Sequence, residues 1–236
     1  MTNPVNIFIG YDSNEVMAYH VLVQSIVAHA SVPVSITPLV RAALVSSGIY
    51  TRPRTKLEST EFSMTRFLVP YLSQYQGVSI FMDCDMLCLG DVAELVSIPF
   101  AEETLRCVQH DYTPSTTTKF LNHIQTPYPR KNWSSLMVFH NAFCQKLTPE
   151  YVNTASGLDL HRMQWADCVG PLPLEWNWLV GEYDDNPQAK LLHYTLGGPW
   201  FRDYQQCDRA QDWFDMLDVA FPSLNCPKPQ VTHAGL

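Results

Sequence analysis

The chain has 236 residues, of which 46% are hydrophobic, so it is long enough to bury the core of one α/β domain. Only 16% of the residues are charged and the formal net charge is −8, which argues against a nucleic-acid partner because phosphate backbones need a basic face. No apolar stretch approaches the roughly 20 residues of a membrane span, so we expect no transmembrane segment. A single nucleotide is not excluded, since it needs only local donors and a cation that bridges it to acidic side chains.

The cysteines and the N-terminus indicate the compartment. The seven cysteines are odd in number and match no disulfide framework, so we expect free thiols in a reducing environment. The N-terminus has neither a basic region nor an apolar run of signal-peptide length. These features predict a cytoplasmic protein.

The N-terminal segment has the pattern of a βαβ unit. Residues 5–11 are a short apolar run that predicts a buried strand, closed by a Gly-x-Asp turn. A helical pattern begins at Asp12, with Glu15 placed as in a capping box, and it ends before Pro33. Residues 34–37 predict a second strand. This order of elements favours a parallel sheet.

The next segment continues the alternation of strands and helices. Residues 78–82 predict a dense apolar strand, and residues 91–96 predict a short helix that begins at its own aspartate cap. Residues 105–109 predict another strand. It ends at His110 and Asp111, which could face the same cleft as the groups that follow the apolar strand, although a turn without function is equally consistent.

The second half begins with a Thr/Pro-rich stretch, residues 112–133, which is too long for a simple connector and predicts a lid or substrate loop. The remaining predicted elements are extended segments at 134–139, 172–178 and 190–193, a helix that begins at Pro149, and a final helix over 208–219. We expect one α/β domain over residues 1–236, with a mostly parallel central sheet flanked by helices. It comprises a nucleotide-binding half (1–111), an acceptor-side half (112–221) and a tail (222–236).

The sequence Asp83-Cys84-Asp85 directly follows the dense apolar strand. Residues i and i+2 of an extended chain point to the same side, so the two carboxylates converge at the strand end where open α/β sheets bind ligands. Close carboxylates repel each other unless a cation lies between them, and oxygen ligands suit Mg²⁺ or Mn²⁺. The alternative is a capped turn without metal, but the preceding apolar strand favours a metal site that bridges to a diphosphate.

The segment from His193 to Trp200 combines three features of a sugar-diphosphate loop. It contains an imidazole that can bind a metal, a Gly197-Gly198 pair whose amides can approach a phosphate, and the flat apolar face of Trp200. An isolated histidine is usually a core or surface residue, so the combination carries the prediction.

These residues resemble the family-8 glycosyltransferases and their bacterial relatives over nearly the whole chain. The resemblance implies the GT-A fold, a Rossmann-like single domain, and transfer of a hexosyl group from a nucleotide-sugar, a UDP-sugar, to a hydroxyl acceptor with retention of configuration. It implies that Asp83, Asp85 and His193 hold a divalent ion, Mn²⁺ or Mg²⁺, and are the catalytic residues. The acceptor is a glycan or another hydroxyl compound.

The resemblance also assigns residues to the donor site. Gly10-Tyr11-Asp12 is similar to the nucleobase-binding turn, Arg66 to a helix arginine that reaches the donor, and Ser134-Ser135 to the strand that contacts the donor sugar. The full set of donor-binding residues that we expect is Gly10, Tyr11, Asp12, Arg66, Cys84, Ser134, Ser135, Gly197 and Gly198.

The closing segment departs from the family pattern, His-x-x-Gly-x-x-Lys-Pro-Trp. It is one residue shorter, and Gly198 stands where the family has its phosphate-binding lysine. Either another cation, with Lys56, Lys119 and Arg202 as candidates, neutralises the diphosphate, or catalysis is weak.

The tryptophans all lie in the second half of the chain, where their rings can stack on sugars. Core packing is the alternative for about half of them. We expect Asp111, Trp176, Asn177 and Trp200 at the acceptor site.

Two other functions are consistent with parts of the sequence. Phosphatases of the haloacid dehalogenase type also place Asp-x-Asp after an apolar strand, but Leu87 occupies the position where they usually carry Thr or Val. A non-catalytic relative that binds a nucleotide or a glycan is the other alternative, because the family lysine is missing.

Overall fold

The computed structural model describes residues 4–55, 58–114, 116, 118–124 and 129–222. The predicted tail, beyond Pro222, and Lys56 lie outside these ranges. The described α-helices are α1 (Val16–His29), α2 (Arg41–Ser46), α3 (Val69–Leu72), α4 (Ala93–Ser97), α5 (Pro149–Thr154), α6 (Gly157–His161) and α7 (Ala210–Ala220). The described strands are β1 (Val5–Gly10), β2 (Val34–Leu39), β3 (Val78–Met82), β4 (Met86–Cys88), β5 (Leu105–Val108), β6 (Thr118–Lys119), β7 (His123–Ile124), β8 (Leu136–His140), β9 (Val169–Leu172), β10 (Trp178–Leu179) and β11 (Leu191–His193).

The central sheet has six strands in the order β2-β1-β3-β8-β5-β9. Strand β1 pairs in parallel with β2 and β3, and β5 pairs in parallel with β9, whereas β8 runs antiparallel to both of its neighbours. The two central strands of this sheet, β3 and β8, are short apolar runs with nearly every residue buried, as expected for strands covered on both faces. The predicted α/β class with a mostly parallel, helix-flanked sheet is confirmed.

A second sheet of three strands, in the order β10-β11-β4, lies at the end of β3. The chain leaves β3, passes through residues 83–85 and enters β4, which pairs antiparallel with β11 so that Met86 lies opposite His193. Strand β10 adds to the other side of β11 with Leu179 opposite His193. This small sheet therefore carries the distant residue 193 to the exit of the central sheet.

Several element boundaries differ from the sequence predictions. Helix α1 begins after Glu15, whose side chain makes no capping bond. The extended segment predicted at 172–178 is in fact the end of β9 followed by a 3-10 helix, Leu174–Asn177. Within the predicted lid, β6 and β7 form a small antiparallel pair. No described helix is long and apolar enough to span a membrane.

The described cysteines carry free thiols, as the sequence predicted, and Cys226 lies outside the described residues. Most of these thiols are buried, and burial raises the pKa of Cys88, Cys107 and Cys144 to about 12. A thiol with such a pKa stays protonated and unreactive at neutral pH. These cysteines therefore act as small apolar side chains of the core.

Candidate metal and donor site

Three side chains converge at the exit of β3. One ligand atom from each of Asp83, Asp85 and His193 lies within 4.8 Å of the others, and all three residues are buried. The Asp85 Oδ1 atom lies 3.4 Å from His193 Nε2. Between the two carboxylates, the Cys84 thiol points to the opposite side and approaches Glu15 Oε2 at 3.8 Å. The alternation expected for an extended chain thus brings the two aspartates together and turns the Cys84 side chain away from them.

A chain of hydrogen bonds fixes the orientation of the His193 ring. The Ser135 hydroxyl donates to the carbonyl of Asn132 at 2.7 Å, so its oxygen accepts from Asn177 Nδ2 at 2.8 Å. The Asn177 Oδ1 atom therefore faces His193 Nδ1, at 3.0 Å. Because an amide oxygen only accepts, Nδ1 carries a proton, which leaves Nε2, the nitrogen that faces Asp85, as the one that can bind a metal. This is the tautomer that a metal-binding histidine needs.

Arg66 neutralises part of the negative charge of this cluster. Its Nη1 atom lies 2.8 Å from Asp83 Oδ1 and donates to the carbonyl of Ser134 at 2.9 Å. The guanidinium lies over the rings of Phe62 and Phe81, at 5.3 and 5.0 Å from their centroids. Buried charges are tolerated when they are paired and hydrogen-bonded, so Arg66 makes it feasible to bury Asp83.

Behind Arg66, the Ser134 hydroxyl is held by a buried imidazole. Ser134 Oγ lies 2.8 Å from His161 Nδ1, and the His161 ring also makes a hydrogen bond to the backbone of Ser63. Burial, followed by the charge of Arg66, lowers the pKa of His161 to about 3. The ring is therefore neutral at pH 7, and its backbone bond leaves Nδ1 to accept from the Ser134 hydroxyl.

The turn after β1 is tied to residues 61–62. The Asp12 carboxylate accepts from the backbone amides of Asn14, at 2.8 Å, and Glu61, at 2.9 Å. A Cβ atom on Gly10 would lie 2.4 Å from the ring of Phe62, so only glycine fits there. The Tyr11 ring packs edge-on against Tyr19. This turn lies one strand away from the Asp-x-Asp motif because β1 pairs with β3.

The loop from residue 194 to residue 200 is closed by aromatic rings. The Gly197 amide donates to the carbonyl of Tyr194 at 2.9 Å, so in this conformation it serves the turn. A Cβ atom on Gly198 would lie 2.1 Å from the ring of Trp200. The space that a lysine side chain would need at residue 198 is therefore filled by Trp200. Of the other candidate cations, Arg202 is exposed, Lys56 is outside the described residues, and the Lys119 side chain is not described.

The residues predicted for the acceptor do not form one surface. Trp176 is only 3% exposed, and Lys190 Nζ lies 5.5 Å above its ring, whereas Asn177 is fully buried against His193. Asp111 is exposed, and Trp200 is half-buried against Tyr194 and Trp213. Asn177 thus supports the cluster of Asp83, Asp85 and His193, which we call the metal-type cluster. Its sequence position did not indicate this role.

The sequence left the role of His110 open and indicated no role for Tyr183. His110 Nδ1 lies 2.9 Å from the Oη atom of Tyr183, a residue that no sequence motif singled out. Burial, followed by the influence of His193, lowers the pKa of His110 to about 3. His110 therefore lies close to His193 and stays neutral at pH 7.

A polar cavity of about 340 Å³ lies beside the end of β5. Its lining includes Gln109, Arg130, Trp133 and Asp167 and does not include the metal-type cluster. Successive residues of a strand end point to opposite sides, so Gln109 faces this cavity while the next residue, His110, faces away from it.

The chain is similar to several known proteins, although no protein-family model matches it. It is 46% identical to Protein CDI of Arabidopsis thaliana over 224 residues, which cover 91% of this chain and 86% of that protein.

Several solved structures with a similar fold are glycosyltransferases. The apo structure of the bifunctional glycosyltransferase WbbM has a TM-score of 0.60 at 17% identity and covers 92% of this chain and 50% of its own. Apo GlyE of Streptococcus pneumoniae has a TM-score of 0.60 at 13% identity, and the match covers 93% of this chain and 62% of GlyE. The galactosyltransferase LgtC, in complex with donor and acceptor sugar analogues, has a TM-score of 0.56 at 9% identity and covers 91% and 96%. The chain thus spans half to three fifths of WbbM and GlyE, and at these identities the similarity establishes the GT-A fold.

Proposed function

The chain belongs to the same family as Protein CDI of Arabidopsis thaliana, and we propose that it is a metal-dependent glycosyltransferase that moves a hexosyl group from a UDP-sugar to a hydroxyl acceptor with retention. The GT-A fold shared with WbbM, GlyE and LgtC supports the reaction class. The proposed donor site keeps the residues predicted from the sequence, with Asp83, Asp85 and His193 at the centre. Two predictions are changed: the Cys84 side chain points away from the carboxylates, and Asn177 supports His193 instead of the acceptor. In this proposal residues 1–111 bind the nucleotide and residues 112–221 form the acceptor side.

The observation that carries the proposal is the buried Asp83, Asp85 and His193 cluster, with its histidine held in the metal-binding tautomer. Two carboxylates and one imidazole suit Mn²⁺ or Mg²⁺, and the imidazole favours Mn²⁺. A divalent cation bound there would supply positive charge to stabilise the departing diphosphate. The fit is specific, since the Nε2 atom of His193 faces the same space as the carboxylate of Asp85.

The protein's own groups prepare this site in three ways. Arg66 compensates the charge of Asp83 and fixes the carbonyl of Ser134, next to the strand expected to contact the donor sugar. The amide of Gly198 is the backbone donor proposed for a phosphate oxygen, because the amide of Gly197 is used within the turn. The packed rings of Tyr194 and Trp200 lie at this loop, where Gly197 and Gly198 are buried, which limits the access of water.

One observation favours a second candidate, a non-catalytic protein that binds a nucleotide-sugar. The ring of Trp200 fills the space beside Gly198 where the resembling family has its lysine. Binding without turnover would follow if no other cation reaches the diphosphate. Nothing in the described residues favours the phosphatase, since Asp83 is paired with Arg66 instead of being left accessible as a nucleophile.

The test is donor hydrolysis across a panel of nucleotide-sugars, with Mn²⁺, with Mg²⁺ and with EDTA. We expect release of UDP and free sugar from at least one UDP-sugar, only with a divalent ion present. Metal-dependent binding of a UDP-sugar without release of UDP would support the non-catalytic binder. Phosphate release from simple phosphomonoesters, with no cleavage of nucleotide-sugars, would contradict both.

A further inference from the structure

His110 follows β5 at the same edge of the central sheet as the proposed nucleobase turn and the metal-type cluster. The strand order places β5 beyond β8, on the side of β3 away from β1, and β5 runs in the same direction as β3. The proposed nucleobase turn follows β1 and the metal-type cluster follows β3. Moving along this edge of the sheet toward β5 therefore leads from the base, past the diphosphate, to the sugar. His110 lies two residues beyond the end of β5.

Contacts with Tyr183 and Trp133 fix the position of His110. Its Nδ1 atom pairs with Tyr183 Oη at 2.9 Å, and the Tyr183 ring packs edge-on against Trp178 at 5.3 Å. The Trp178 indole donates to the carbonyl of Asp184 at 3.1 Å, which anchors the turn that carries Tyr183. The backbone carbonyl of His110 accepts from the Trp133 indole at 2.9 Å. Both the ring and its backbone are thus fixed.

The other ring nitrogen of His110, Nε2, has no hydrogen-bond partner among the described residues. His110 is 7% exposed, and its Nε2 atom is buried without a hydrogen bond to any described residue. Leaving a buried polar atom unpaired is unfavourable, so a ligand that pairs with Nε2 gains affinity. The mechanism proposed above does not use this nitrogen.

The chemistry of Nε2 points to a hydroxyl group. Among the described residues, the metal-type cluster consists of Asp83, Asp85 and His193, and His110 is not part of it. A phosphate oxygen only accepts hydrogen bonds, and a neutral imidazole brings it no charge. A sugar hydroxyl both donates and accepts, so it can pair with either tautomer that Tyr183 selects.

We propose that His110 Nε2 forms a hydrogen bond with a hydroxyl of the donor sugar bound beside the metal site, which makes His110 a determinant of sugar selectivity. This inference rests on the proposed glycosyltransferase function and adds a residue that reads the sugar instead of the nucleotide.

The test compares affinity for UDP with affinity for the UDP-sugar that the wild-type protein hydrolyses fastest, both measured by calorimetry with Mn²⁺. The variants are His110→Phe, His110→Gln and Tyr183→Phe, with Gln109→Ala as the neighbouring control whose side chain faces the cavity. Thermal melting checks that each variant is folded. Tyr183→Phe removes only the hydroxyl that pairs with His110 and keeps the ring, so it still tests the inference if a His110 variant fails to fold.

We expect His110→Phe to bind UDP like the wild-type protein and to bind the UDP-sugar about tenfold more weakly, as for a lost hydrogen bond to a buried group. His110→Gln, whose amide also donates and accepts, should recover part of the loss. Tyr183→Phe should show a smaller loss for the UDP-sugar only, and Gln109→Ala should show none.

Unchanged UDP-sugar affinity in His110→Phe, or an equal loss for UDP and for the UDP-sugar, would overturn this inference and leave the proposed function in place. If the wild-type protein binds no UDP-sugar in the presence of Mn²⁺, the proposed function fails and this inference fails with it.

Discussion

At the scale of single residues, the metal-type cluster depends on side chains that do not belong to it. The carbonyl of Asn132 orients the Ser135 hydroxyl, the hydroxyl orients the Asn177 amide, and the amide sets the tautomer of His193. In this series of hydrogen bonds, each group can act only as donor or only as acceptor once the role of its neighbour is set. Such supporting hydrogen bonds tune metal affinity nearly as strongly as the ligands themselves.

Replacing Asn177 should therefore weaken metal binding without removing a ligand. In Asn177→Leu, the Nδ1–H of His193 loses its acceptor, and we expect Mn²⁺ affinity to fall by about 10- to 100-fold. Asn177→Asp keeps an oxygen facing Nδ1 and should retain more of the affinity. Calorimetric titration with Mn²⁺ measures both, and equal affinity in Asn177→Leu and the wild-type protein would refute the supporting role of Asn177.

The sequence predicted the convergence of Asp83 and Asp85, because strand alternation is a local rule. It identified His193 as a ligand only through a family resemblance, since no local rule joins residues this far apart. It placed Asn177 at the acceptor site, whereas the side chain faces His193. The role of Tyr183 was missed because its partner, His110, comes from a different strand end.

At the scale of elements, the site depends on the small sheet β10-β11-β4. Strand β4 continues the chain from the Asp-x-Asp motif, and β11 pairs with it so that His193 lies opposite Met86. The dense apolar run of β3 was easy to predict, but β4, β10 and β11 have only two or three residues each. Strands this short carry no readable alternation, so their pairing could not be predicted from the sequence.

The loop after β11 gives a test of close packing. A Cβ atom at residue 198 would overlap the ring of Trp200, so Gly198→Ala should lower the free energy of unfolding by about 1–3 kcal/mol. In a Trp200→Leu background the same change should cost much less, because the overlapping ring is gone. Urea unfolding of the two single variants and the double variant measures the coupling. Equal costs in both backgrounds would show that Trp200 does not occupy this space.

At the scale of the whole molecule, the fold class followed from the sequence because strands and helices alternate and the central strands are apolar. The order β2-β1-β3-β8-β5-β9 did not, since strand order depends on packing between segments far apart in the chain. The antiparallel β8 in the middle of the sheet is an example. It brings Ser134 and Ser135, at its start, beside Asp83 at the end of β3.

Two buried histidines should make global stability depend on pH. The pKa of His110 and of His161 is lowered to about 3, mainly by burial, with smaller contributions from His193 for His110 and from Arg66 for His161. The unfolded chain, with imidazole pKa values near 6.5, binds more protons between pH 6.5 and 3. The contribution of the two rings to the free energy of unfolding is therefore fully present above pH 6.5. It is lost as the pH falls, by about 1.4 kcal/mol per pH unit for each ring.

Urea unfolding at pH 7, 6 and 5 in the presence of EDTA measures this dependence. We expect His161→Gln to remove about half of the slope that the two rings contribute between pH 6 and 5. An unchanged slope in this variant would mean that His161 is not held neutral in the folded protein.

The central claim is that Asp83, Asp85 and His193 bind a divalent cation that in turn binds the nucleotide diphosphate. Calorimetric titration with UDP, with and without Mn²⁺, tests it most directly in the wild-type protein, in Asp85→Ala, and in a control that removes an exposed carboxylate, Asp208→Ala. We expect the wild-type protein and the control to bind UDP only when Mn²⁺ is present, and Asp85→Ala not to bind it at all. UDP binding that needs no metal and persists in Asp85→Ala would contradict the assignment of the site.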